Sequence, residues 1–249
     1  MNATAQTVTS AADGRGVLVI GVGGLSSPAL SVLVESGVRR LTLIDADRVD
    51  ETNLQRQTLF SEADVGRPKV EAAAERLRSL SPEPLQLELI EGRFAPENAR
   101  DVVAGHRLVL EGADNYATKF LAADTAKLEG LSVVQAGAVR LSGWALAALP
   151  DAGPCLRCVF EDIPRGQPET CAVAGVLGPV VGVLGALEAA LAVQLLLGQT
   201  RAAGVLWSYD APAGRLRRRR VSPRAGCALC SGEITTLDLE RYDSNHCAA

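Results

Sequence analysis

Four of the six cysteines fall into two Cys-x-x-Cys pairs, Cys155/Cys158 and Cys227/Cys230, with 68 residues between the pairs. Four thiolates can satisfy a tetrahedral Zn²⁺ and leave no open position, which makes a structural site. The separation is too long for a compact zinc ribbon, so such a metal would fasten two distant segments together. A redox pair is the alternative. A fifth cysteine, Cys171, stands where a Pro-rich stretch gives way to an apolar one. A thiol at a helix N-terminus ionises more readily and becomes a candidate nucleophile. The competing reading is an inert cysteine at the start of a buried helix. Cys247, His106 and His246 have no partners in the pattern and are expected to carry no chemistry.

A second group of residues could hold a nucleotide. Gly21-Val-Gly23-Gly24-Leu-Ser26 follows an apolar run, and glycines there let backbone amides approach phosphates at a helix N-terminus. Asp45 lies 24 positions after Gly21, where an acid can hold a ribose hydroxyl. These features leave NAD and ATP both open. Asn53-Leu-Gln-Arg56-Gln57 and Gly66-Arg-Pro-Lys69 then add cations that a dehydrogenase does not need and a triphosphate does. A solvated loop is the bland alternative. Asp114, in Gly-Ala-Asp-Asn, is placed to hold Mg²⁺ at a strand end or to cap the next helix.

The elements that must position these residues follow from periodicity. The continuous apolar run at 17–21 suits a strand buried on both faces, and 40–45 reads as a second strand, with a helix over 25–36 between them. Further helices are expected at 69–80 (with Pro68 in its first turn), near 96–104 and at 116–129. Strands are expected at 85–90, 107–111, 131–136 and 144–149. Residues 151–170 read as loop, 172–198 as an apolar helix, and 204–209 and 215–221 as β runs. The expected class is α/β: a doubly wound, Rossmann-like, mostly parallel sheet with a C-terminal β-hairpin appendage and a four-cysteine zinc site. The tail, residues 231–249, is polar and shows no pattern.

Composition narrows the function classes. Apolar residues make up 47% of the chain, enough for a substantial core. Aromatics at 4% and a net charge of −4 argue against a nucleic-acid surface. Residues 172–198 carry one charge, Glu188, over a length that could cross a bilayer. Clustered glycines and the surrounding α/β pattern favour a buried helix instead. The first residues have neither a basic n-region nor an apolar h-region, so the expectation is a cytoplasmic protein.

Taken in order, GVGGL, LIDADRVDETNLQRQ, VGRPKVE, GADN, PCLRC, TCAVAGVLGPVVGVLGALEA and GCALC resemble the ThiF/MoeB/HesA family. These are ubiquitin-activating-enzyme-like adenylyltransferases of small sulfur-carrier proteins. The likeness runs from about residue 16 to 232. It implies a short N-terminal segment (1–16), an adenylyltransferase domain (17–232) and a tail (233–249). Within the domain come a nucleotide-binding half (about 17–150), a crossover loop (151–171) and a helix, hairpin and zinc site (172–232).

The resemblance also implies roles. Gly21, Gly23 and Gly24 lie beside ATP, Asp45 holds the ribose, and Asn53, Arg56 and Lys69 meet the phosphates. Asp114 meets Mg²⁺, while Cys155, Cys158, Cys227 and Cys230 bind zinc. Cys171 matches a cysteine that can become linked to the carrier through sulfur. The implied reaction activates the C-terminal glycine of a carrier ending in Gly-Gly as an acyl-adenylate, for sulfur transfer in thiamine, molybdopterin or related biosynthesis. A homodimer, a separate sulfur donor and no membrane or nucleic-acid partner are implied as well. An NAD-dependent oxidoreductase and a non-catalytic, zinc-stapled carrier-binding scaffold are the alternatives. Three departures stand out. No Arg-rich helical segment precedes the first strand, Ser26 replaces a glycine, and Trp144 stands where glutamine is common.

Overall fold

The computed structural model describes residue 8, residues 14–164 and residues 175–242. Cys171, His246 and Cys247 lie outside the described residues. One eight-stranded sheet runs in the order β3-β2-β1-β4-β5-β6-β7-β8. Its parallel half is β1 (Gly16–Ile20), β2 (Arg40–Asp45), β3 (Gln86–Glu91), β4 (His106–Glu111) and β5 (Ser132–Val139). Its antiparallel half continues through β6 (Ser142–Ala148), β7 (Val205–Asp210) and β8 (Arg215–Arg220).

Alternation along the strands builds a core on each face. Val17, Val19, Leu41, Leu43, Leu108, Leu110, Val134 and Ala136 pack on helices α1 (Ser26–Glu35), α2 (Lys69–Leu80) and, counting along the chain, α6 (Gly178–Leu196). Leu18, Ile20, Ile44, Val109 and Val133 face α3 (Ala99–Val103) and α4 (Tyr116–Leu128), where Phe120 is fully buried. Central strands are therefore apolar throughout, which is why their sequences show no period of two. Helix α6 is the one described helix long and apolar enough to cross a membrane, and half of it is buried. Glycine allows its depth of packing, since a Cβ at Gly185 would lie 2.1 Å from the Leu25 carbonyl oxygen.

Several expectations need correction. The hairpin is no appendage: β7 bonds to β6, so the hairpin extends the main sheet. The stretch expected as loop contains helix α5 (Leu156–Phe160), fixed by Arg157. Helix α6 starts at Gly178 because residues 175–177 instead bond Arg140 of the β5–β6 turn. Pro68 caps α2 rather than opening it. The patternless tail forms α7 (Leu239–Tyr242), and both Ile234 and Tyr242 are buried. His106, for which the sequence shows no partner, has one: its ring bonds Thr42 Oγ1 at 2.8 Å, and its burial lowers its pKa.

Glu188 of α6 is fully buried, and neither carboxylate oxygen has a hydrogen-bond partner among the described residues. Burial pushes its pKa well above the ordinary carboxyl value, so the folded chain holds a proton there that the unfolded chain releases. Stability contributed at this site therefore falls as pH rises above the unfolded value. Glu188→Gln should remove that slope, with the wild type losing up to about 1.4 kcal/mol per pH unit relative to the variant. Calorimetric Tm values from acid to mildly alkaline pH check this. Parallel curves would mean that Glu188 is not desolvated as described.

Candidate functional site

Sheet order reverses between β1 and β4, which makes a crevice beyond the strand ends. A cleft of about 1200 Å³ occupies it. Gly21 begins the turn after β1 at φ +80°, and a Cβ there would lie 3.0 Å from the Ala113 amide nitrogen. Glycine is required on both counts. Ser26, the departure from the three-glycine pattern, donates its hydroxyl to the Gly21 carbonyl and so ties the first turn of α1 to this turn. Gly23 and Gly24 then line the cleft at the N-terminus of α1, whose dipole favours anions.

Asp45 ends β2 on the cleft wall and accepts the amides of Val22 at 2.6 Å and Asp47 at 2.8 Å. Burial raises its pKa, against the pull of Lys69 and those amides. Arg56 and Lys69 also line the cleft. Lys69 is buried at the start of α2, and its Nζ lies 2.7 Å from Asp47 Oδ2. Asn53 is not part of the wall. Its carboxamide oxygen accepts from the Arg56 guanidinium, so it aims the arginine. Asp114 follows β4, is exposed and lines the cleft. The cap of α4 is Asn115, which accepts from Thr118 N at 2.8 Å, so the capping alternative does not occupy Asp114. The structure thus gathers Gly21, Gly23, Gly24, Asp45, Arg56, Lys69 and Asp114 around one space.

Sequence reasoning missed the other side of the cleft. Lys119, buried, reaches Glu111 Oε2 at 3.1 Å and the Ala136 carbonyl, while Gln135 donates to Glu111 at 3.0 Å. Trp144 and Phe160 stand 4.8 Å apart between ring centroids, and both line the cleft with Tyr242. Trp144 was legible only as a departure from the family pattern. Phe160 and Tyr242 gave no signal, since contacts distant in sequence bring them here. The volume exceeds the ~300–1,000 Å³ usual for small-molecule sites, which leaves room for a second reactant.

The four expected zinc ligands converge. Their Sγ atoms lie within 4.8 Å of one another, with separations of 3.8 Å (Cys155–Cys158), 3.6 Å (Cys155–Cys227), 3.7 Å (Cys158–Cys230) and 3.5 Å (Cys155–Cys230). A tetrahedral zinc with Zn–S near ~2.3 Å has sulfur edges of about 3.8 Å, so this donor set fits the metal without rearrangement. Leu229 and Ile234 shield it. Burial and the neighbouring sulfurs push the Cys155 thiol up, a strain that a divalent cation would relieve. Between the first two ligands, Arg157 grips Asp124 of α4 at 3.0 and 2.9 Å, and Tyr242 donates to the same carboxylate at 2.7 Å. The cysteine knot is therefore wired to the helix that carries Phe160.

The model of the ThiF family matches residues 9–229. The chain is 40% identical over 229 residues to the SAMP-activating enzyme E1 of Haloferax volcanii, covering 91% of this chain and 84% of that one. It is 37% identical over 235 residues to the sulfur carrier protein adenylyltransferase of Thermus thermophilus, covering 92% and 86%. Among solved structures, Escherichia coli MccB with ATP superposes with a TM-score of 0.77 at 20% identity, over 90% of this chain and 69% of that one. That last likeness concerns the fold alone.

Replacing Cys227 with serine, or chelating the metal, should remove one zinc per chain by elemental analysis. It should also lower Tm by about 10 °C or more and shift Trp144 emission, because Phe160 leaves with its helix. An unchanged Tm in the metal-free protein would show that the four thiols are not a structural site.

Proposed function

The chain belongs to the ThiF family, and from that premise we propose that it spends ATP to adenylate the C-terminal glycine carboxylate of a ubiquitin-like sulfur carrier. The observation that carries this reading is the meeting of Arg56, Lys69 and Asp114 with the glycine turn on one cleft. The carrier's terminal carboxylate attacks the α-phosphorus of ATP, a bond forms from that oxygen to phosphorus, and pyrophosphate leaves. No protein base is needed, because a carboxylate is already ionised at neutral pH.

Catalysis is then positioning and neutralisation of phosphate charge. The turn at Gly23 and Gly24 offers its amide end to the nucleotide, and Asp45 takes the ribose hydroxyls. Arg56, steered by Asn53, and Lys69 receive the phosphates. Asp114 is the residue that would hold Mg²⁺, which supplies further neutralisation of the triphosphate. A sulfur nucleophile from a separate donor or from Cys171 then attacks the acyl carbonyl, a carbon–sulfur bond forms, and AMP leaves. The aromatic side of the cleft suits the uncharged backbone of a Gly-Gly tail. Compartment and assembly follow the family reading, a cytoplasmic homodimer. The oxidoreductase alternative finds no support among the relatives named above, and a scaffold would not need the charged half of the cleft.

ATP–pyrophosphate exchange against a panel of small proteins ending in Gly-Gly tests the proposal. Lys69→Ala and Asp114→Ala should each lower exchange by at least about 10²-fold, as loss of a single charge-stabilising group does elsewhere. Asn53→Ala should cost less, and it should raise the KM for ATP through a loosened Arg56. Wild-type exchange in Lys69→Ala would remove that lysine from the mechanism.

A further inference from the structure

Strand β8 reads Arg-Leu-Arg-Arg-Arg-Arg, forms an outer edge of the sheet, and exposes all six residues. No acidic residue occurs from Ala211 to Gly232, in a chain whose net charge is −4. Arg220 is spent internally, donating to the Ala203 carbonyl at 2.7 Å. Arg215, Arg217, Arg218 and Arg219 make no hydrogen bond or ion pair through their side chains among the described residues. Charges on an edge strand do discourage pairing between sheets. That need does not account for where these charges lie relative to the cleft.

The register supplies that relation. Arg217 lies opposite Ser208, which lies opposite Trp144; in the flanking rows of the same face Arg215 pairs through Asp210 to Ser142 and Arg219 through Leu206 to Leu146. Residues paired across strands share a face, so Arg215, Arg217 and Arg219 stand on the face that carries Trp144 of the cleft wall. Two strand spacings, about 10 Å, separate Arg217 from Trp144 along the sheet. An extended tail of three or four residues spans that distance.

We propose that this arginine row docks an acidic face of the carrier protein and holds its body at the edge of the sheet while its tail enters the cleft. The proposal rests on the adenylation reading above. Guanidinium groups pair with carboxylates in two-point geometry, and a row of them steers an acidic partner during encounter. A nucleic acid is the less favoured occupant, because no aromatic side chain stands on the row for bases to stack on.

The test uses the full-length protein and the Gly-Gly-ended carrier that supports exchange. The variant Arg215→Glu/Arg217→Glu/Arg219→Glu should raise the KM for carrier at least about tenfold, and the salt dependence of that KM should vanish. The KM for ATP and Tm should stay unchanged. Arg218→Glu, on the opposite face, should change little. A carrier KM within about twofold of wild type overturns the proposal. So does an unchanged carrier KM accompanied by lost binding of a single-stranded polyuridylate probe, which would assign the row to nucleic acid. If the charge-reversed protein aggregates, the neutral Arg215→Gln/Arg217→Gln/Arg219→Gln variant decides by the same comparison. Absence of exchange in the wild type would instead defeat the adenylation reading itself.

Discussion

Contact between two backbone segments governs the rest of this molecule. The turn leaving β1 presses against the turn leaving β4, with no space for a side chain at Gly21. Such a contact forms only where neighbouring parallel strands send their chains to opposite sides. It places the glycine turn, Asp45 and Asp114 on one rim. Helix α6, seated against Leu25, backs the same turn from behind and keeps it from yielding. Because packed interiors resist small displacements, a site built on such contacts needs little ordering when its ligands arrive.

A second fastening works at longer range. The cysteine cluster joins the segment after β6 to the segment after β8, and Arg157 carries its influence inward to Asp124 and Tyr242. Neither segment has an extensive apolar surface of its own. Metal ligation by these four thiols would do for this region what burial does for the central sheet, and would set where the aromatic side of the cleft stands. The two halves of the cleft rest on different physics, one on backbone packing and the other on a cluster of four thiols suited to coordination.

Most of the fold could be read from the residues, because short apolar runs mark the central strands and helical spacing marks the helices. Strand β2 and helix α2 fall at the expected residues, 40–45 and 69–80. Helix α5 and the terminal turn at Tyr242 could not be read. Each is short, and each is held by a partner far along the chain, Asp124 in both cases. The charged half of the cleft was legible because a few residue types at fixed spacing do that chemistry. The Lys119–Glu111–Gln135 cluster and the aromatic pair were not, since their meaning arises only once three elements touch. Asn53 was expected at the phosphates, but it stands behind Arg56 and off the cleft wall, a placement the residues did not signal.

The pair between Lys69 and Asp47 has a consequence for how the cleft meets its nucleotide. The ammonium is already stripped of bulk water and already matched to an oxyanion at 2.7 Å. A phosphate binding there, as proposed, would swap places with a resident carboxylate instead of shedding a hydration shell from the lysine. Exchange of that kind yields little net attraction, yet it penalises any occupant that brings no negative oxygen to the spot. On the proposed reading, Lys69 would select the ligand's charge at this spot as well as neutralise the phosphates.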